Sequence, residues 1–163
     1  MSELVLKYSG WGHDADLQVI HADVLMEIDG VVLIDEPMCV DVGLPALLLS
    51  IVEDVEPDRW AEASEWHRVP FVICGCGDPE CRGYSFRVRH REGGFLELTE
   101  LDERQGRSPR ELDSYLIPRA QYAAQVRAIG EQFLRFTEGL DYRPYYADTV
   151  KTVKELLQRT VSI

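Results

Sequence analysis

Apolar and polar residues alternate with period two in "LVLKY" (4–8) and through much of "DLQVIHADVLMEIDGVVLID" (16–35), the pattern of half-buried strands. Asp29-Gly30 between two apolar runs predicts a two-residue hairpin turn. "GLPALLLSIVEDVEP" (43–57) then carries a leucine-rich face between Gly-Leu-Pro and Pro57, which predicts a short helix. Its acidic end, Glu53, Asp54 and Glu56, opposes the helix dipole and so marks a candidate partner surface, against the plainer reading of a solvated helix end. "DRWAEASEWH" (58–67) is expected to be helical, and strands are expected at 69–75, 83–91 and 95–101.

A loop of Glu92-Gly93-Gly94 would set Arg91 opposite Phe95, His90 opposite Leu96, Arg89 opposite Glu97 and Val88 opposite Leu98. That register sends Tyr84, Phe86, Val88, His90, Leu96 and Leu98 to the core, and Arg87, Arg89, Arg91, Glu97 and Thr99 to solvent. Ion pairing with Glu97 and with the acidic first third explains the arginine stripe more simply than phosphate binding does. From Pro118 onward Tyr122, Val126, Ile129, Phe133, Phe136 and Leu140 recur at steps of four and three, a core-facing helical stripe. A second helix follows in "DTVKTVKELLQRTV" (148–161), with Val150, Val153, Leu157 and Val161 on one face and Asp148 as its cap. The connector "GLDYRPYY" offers three tyrosines for packing or ligand stacking. The expectation is one α+β domain over residues 1–163, an antiparallel sheet from two strand groups with helices on one face and a cysteine-rich loop.

Composition fits an ordinary globular chain, 45% hydrophobic and 28% charged, with no internal repeat or low-complexity segment. Polar residues interrupt the first twenty positions, no apolar run reaches membrane-spanning length, and a cytoplasmic location is expected. The net charge of −12 lies wholly within residues 1–63, where 14 acids face only Lys7 and Arg59. Such a field disfavours nucleic acid and anionic lipid and favours a basic protein partner; plain solubility is the alternative. Glu53, Asp54, Glu56 and Asp58 are the expected partner-binding residues.

"PFVICGCGDPECRGYSFRVRH" (70–90) places three of the four cysteines, Cys74, Cys76 and Cys81, within eight residues. In a reducing compartment this spacing favours a metal over disulfides, and three thiolates suit zinc, whose structural sites take a fourth ligand. His90 lies nine residues along a strand from Cys81, about 30 Å at roughly 3.3 Å per residue, and His67 stands about 23 Å before Cys74 if extended. Cys39, at an element boundary, has no such restriction and is the expected fourth ligand, with His13 and His21 behind it; a buried Cys39 is the plainer reading taken alone. "GWGHDAD" (10–16) is more simply a polar turn than a cation or acid–base site.

"CGCGDPECRGY" resembles the post-SET zinc motif of eukaryotic-type lysine methyltransferases, in which Cys-x-Cys-x-x-x-x-Cys supplies three ligands and a distant cysteine the fourth. The resemblance implies that Cys74, Cys76 and Cys81 are the local ligands. It does not carry the activity over, because about 80 residues follow the motif and no Asn-His-Ser/Cys stretch is present. A longer likeness, over about residues 70–135, is to small uncharacterised bacterial proteins with a Cys-x-Cys-Gly-x-x-x-Cys segment, an alternating strand and a helix containing Arg-x-x-Tyr, here Arg119 to Tyr122. It implies a bacterial α+β protein and no particular activity.

The chain lacks Gly-x-x-x-x-Gly-Lys-Ser/Thr, Gly-x-Ser-x-Gly and His-Glu-x-x-His, and no catalytic or organic-cofactor residues are assigned. Two functional expectations stand: a nonenzymatic interaction module with a structural zinc knuckle, as an immunity or antitoxin protein would be, and a thiol- or metal-dependent enzyme built on the cysteine loop.

Overall fold

The computed structural model describes residues 1–62, 64–76, 78–144 and 148–161. Strands β1 (Leu4–Asp14), β2 (Val19–Ile28) and β3 (Val31–Cys39) form an antiparallel sheet in that order. A second antiparallel sheet is ordered β4 (Val72–Ile73), β5 (Gly83–Arg91), β6 (Phe95–Asp102) and β7 (Arg110–Pro118). Helix α1 (Leu44–Leu49) lies between the sheets in sequence, and α2 (Arg119–Thr137) and α3 (Thr149–Arg159) follow. The class is α+β, as the periodicity predicts.

The hairpin signals hold in detail. Asp29 and Gly30 both take positive φ, 53° and 79°, and Ile28 pairs with Val31, the geometry an Asp-Gly turn adopts. Arg91 pairs with Phe95, His90 with Leu96, Arg89 with Glu97 and Val88 with Leu98, the register expected from face separation. Both sheets turn apolar faces to one core. Leu6, Tyr8 and Met26 of the first sheet, Phe86 and Leu98 of the second, Leu47 of α1 and Tyr122 of α2 line a common interior.

At the start of β1 the edge of the first sheet is met by helix α2. Gln121 Oε1 of α2 accepts from Leu4 N at 3.0 Å; Gln125 Oε1 accepts from Leu6 N at 2.6 Å, and Gln125 Nε2 donates to Leu4 O at 2.7 Å. These amides stand in for a neighbour strand at Leu4 and Leu6.

Several local expectations fail, each for an identifiable reason. "GWGHDAD" is a polar turn only at its end: Gly12, His13 and Asp14 pair with His21, Ile20 and Val19 after a bulge beyond Ser9, and the turn begins at Asp14, whose Oδ1 accepts from Asp16 N and Leu17 N at 3.0 Å. Among its described residues "DRWAEASEWH" forms no α-helix, and a 3-10 turn covers Trp66–Arg68. There Asp58 Oδ1 accepts from Trp60 N at 2.9 Å and Asp58 N donates to Arg68 O at 2.7 Å, local bonds that compete with a helix. The strand expected at 69–75 shrinks to Val72–Ile73, and β7 was unread because Arg110 to Ser114 are all exposed and show no clean alternation. Arg87 points away from the core as expected but is only 8% exposed, since Glu56 accepts from its Nε and Nη2 at 2.8 and 3.0 Å and Glu111 binds its Nη1. Asp148 precedes α3 in the left-handed region with no side-chain cap bond; Leu156 is buried where Val161 is exposed, and Leu140 lies beyond the end of α2. Of the connector tyrosines, Tyr145 and Tyr146 lie outside the described residues.

Tyr142 donates to Asp41 Oδ2 at 2.6 Å, while the other oxygen of this buried carboxylate has no hydrogen-bond partner among the described residues. Burial raises the Asp41 pKa, opposed in part by the Tyr142 hydroxyl and nearby backbone N–H groups. A carboxyl whose folded pKa is raised is favoured by folding when protonated, so it costs stability increasingly as pH climbs above the unfolded value of about 3.9. Asp41→Asn is therefore expected to gain stability relative to wild type as pH rises from acidic to neutral, read from urea midpoints across that range. Parallel pH profiles for the two proteins would rule out a raised carboxyl.

Candidate metal centre

The cysteine cluster is built by a short hairpin. Val72 pairs with Tyr84 and Ile73 with Gly83, and Cys74 N donates to Arg82 O at 2.9 Å, which carries the ladder one step past β4. Cys74 and Cys81 therefore flank the base of the loop. Asp78 tightens its far side: Oδ1 accepts from Glu80 N at 2.9 Å and the carbonyl accepts from Cys81 N at 3.0 Å. Gly75 allows the loop to lie against the first sheet, because a Cβ there would come within 2.7 Å of Val19 Cγ1.

The outcome is that the sulfurs of Cys74, Cys76 and Cys81 lie within 4.8 Å of one another. Any such triangle fits within about 2.8 Å of a shared centre, close to the 2.3 Å of a zinc–thiolate bond. The three cysteines can hold a metal ion. They form the sole group of this kind among the described residues. Burial first, then the neighbouring thiols and Cys39, pushes the Cys74 thiol up to about 12, whereas the Asp78 N–H and then the Cys74 thiol lower the exposed Cys76.

Cys39 closes β3, half-buried and opposite His21. It lies outside the tight group but near enough for its charge to act on Cys74. Glu36 holds its strand against the cysteine hairpin by accepting from Tyr84 Oη at 2.8 Å and pairing with Arg82. His13 is occupied elsewhere, with Nε2 at 3.4 Å from Gln18 Oε1 and its ring edge-on to Tyr142. His21 lies over Gly12, where a Cβ would come within 2.1 Å of its ring. His90 Nε2 meets Ser50 O at 2.9 Å, in keeping with the reach argument that kept it from the loop.

Sequence reasoning missed Arg59, one of two cations in the acidic first third. Its Nη2 donates to Cys81 O at 2.8 Å, and Gly83 makes room for it, since a Cβ there would sit 2.8 Å from the same nitrogen. A guanidinium thus ties the segment after Pro57 to the backbone of the cysteine hairpin. Its isolation among acids was the available signal.

The acids expected to meet a partner each have an internal one. Glu53 pairs with Arg159 at 2.9 Å; Asp54 accepts from His90 N at 2.7 Å; Glu56 holds Arg87; Asp58 pairs with Arg68 at 2.9 Å. Helix-end acids next to a sheet thus serve as ties between elements. Tyr122 of the Arg-x-x-Tyr stretch is buried, its hydroxyl 2.6 Å from Ser50 Oγ. No helix among the described residues is long and apolar enough to cross a membrane. Comparisons with family models, curated proteins and solved structures find no match to this chain.

Proposed function

We propose that the protein is a nonenzymatic interaction module of the bacterial cytosol, stiffened by one zinc ion on Cys74, Cys76, Cys81 and Cys39, whose acidic surface takes a basic partner in the manner of an immunity or antitoxin protein. The single observation that carries the zinc reading is the convergence of three sulfurs within 4.8 Å. Cys39 is the fourth ligand of this reading because it alone among the candidates lies on the strand that Glu36 pins to the cysteine hairpin. The post-SET resemblance supports the same division into three local ligands and one distant cysteine. A four-thiolate shell leaves no open position for water or substrate, which makes the site structural.

One observation favours the second reading, a thiol-dependent enzyme: Cys76 is exposed and its thiolate is favoured. Two measurements separate them. Protein purified under reducing conditions is expected to carry one equivalent of zinc and to resist iodoacetamide until a chelator is added, and Cys39→Ser is expected to weaken zinc binding. Rapid alkylation of the zinc-loaded protein at Cys76 would favour the enzyme, and undiminished zinc affinity in Cys39→Ser would remove that residue from the shell.

A further inference from the structure

A cleft of about 220 Å³ opens beside the cysteine hairpin. Val42, Val69 and Ile73, a small apolar cluster separate from the main core, contribute to its lining. Trp60 and Cys74 also line it, with Asp58 and Asp78 as its carboxylates. We infer that this cleft takes the side chain of one lysine or arginine presented by a basic partner.

The lining suits such a side chain in each part. The volume is below the roughly 300 Å³ at which sites for organic ligands begin, and it fits a single side chain. An aliphatic stem buries against Val42, Val69 and Ile73 while the cationic head stays at the mouth. The head meets the indole of Trp60 and the carboxylates, of which Asp78 is exposed and pairs with no cation among the described residues. Asp58 already holds Arg68. The lining's one cation, Arg59, is turned to the hairpin, where its Nη2 is bound to Cys81 O.

A second groove, of about 550 Å³, shares Asp58 and Trp60 with this cleft, but Arg68, Arg104 and Arg107 balance its acids, so the preference for a cation belongs to the smaller cleft. The strength of attraction rests on the zinc reading. Four thiolates on a divalent ion leave two negative charges at the cleft wall through Cys74, which outweigh Arg59. The net charge of −12 favours approach of a basic partner to the molecule as a whole.

The test is a titration of ¹⁵N-labelled, zinc-loaded protein with N-acetyl-lysine methylamide at low salt, following the Trp60 indole N–H, which is identified by its loss in Trp60→Phe. The uncharged norleucine analogue is titrated in parallel. Lysine is expected to shift the Trp60 signal and to bind at least about fivefold more tightly than norleucine. Asp78→Asn keeps the turn to Glu80 and should weaken lysine alone; chelation should weaken it further. Equal responses to the two amides, or a lysine response that spares Trp60, would overturn the inference. One equivalent of zinc without any lysine response sinks the cleft and leaves the zinc reading intact, whereas a lysine preference in protein that never holds zinc supports the cleft and sinks the zinc reading.

Discussion

Stripping the zinc-loaded protein with a chelator, or replacing Cys76 by serine, is expected to lower the thermal midpoint by about 8–16 °C. A ligand bound only by the folded state contributes about 4.1 kcal/mol at a thousandfold excess over its Kd. For a chain of this size each kcal/mol moves the midpoint by about 2–4 °C. The loss should stop short of unfolding. The core from Leu4 to Leu156 is formed by strands and helices that do not depend on the loop. β4, by contrast, is only Val72–Ile73, so backbone amides near it should lose hydrogen-exchange protection first. Chelator should leave the midpoint of Cys76→Ser unchanged. A wild-type midpoint that ignores chelator after one equivalent of zinc has been removed would end the structural-metal reading.

Gly43→Ala is expected to cost about 3 kcal/mol or more, a fall of about 6–12 °C in midpoint. A Cβ at this position would lie 2.2 Å from Phe71 O and 2.3 Å from Pro70 O. Both are backbone carbonyls and cannot rotate aside. The φ of −93° is one alanine adopts freely, so no torsional strain enters, and the smaller entropy of the unfolded alanine chain would by itself stabilise by about 0.4–1 kcal/mol. The steric effect wins because this crossing packs the start of α1 onto the segment that leads into β4 and Cys74. Gly106→Ala is the control, with φ 73° and open space around it; it carries only the left-handed backbone penalty of about 1–2 kcal/mol. Equal stability of Gly43→Ala and wild type in urea would mean that the two segments do not cross as described.

The clearest local signals were those in which one residue type has one geometric solution. Asp29-Gly30 specified its turn, and the faces of β5 and β6 specified their register, because a slip of one residue would have sent Phe86 and Val88 to solvent. The stripe from Tyr122 to Phe133 is buried along α2 for the same reason. β7 was invisible because an edge strand whose first half is exposed on both faces need not alternate. The stretch 58–67 misled because helix-compatible composition says nothing of the competing bonds that Asp58 makes to Trp60 and Arg68.

At the candidate site, spacing alone determined that Cys74, Cys76 and Cys81 belong together, since the short loop between Ile73 and Gly83 cannot keep them far apart. Composition likewise determined that the charge of the chain is concentrated in its first third. Only the tertiary structure decided what stands around those residues: Arg59 on the carbonyl of Cys81, Trp60 and Asp78 on one cleft, and Glu53, Asp54 and Glu56 on internal partners. Those neighbours come from separate elements, and their meeting depends on how two sheets share one core. Local pattern reports which way a side chain points, but what it meets there is set by packing over long sequence separations.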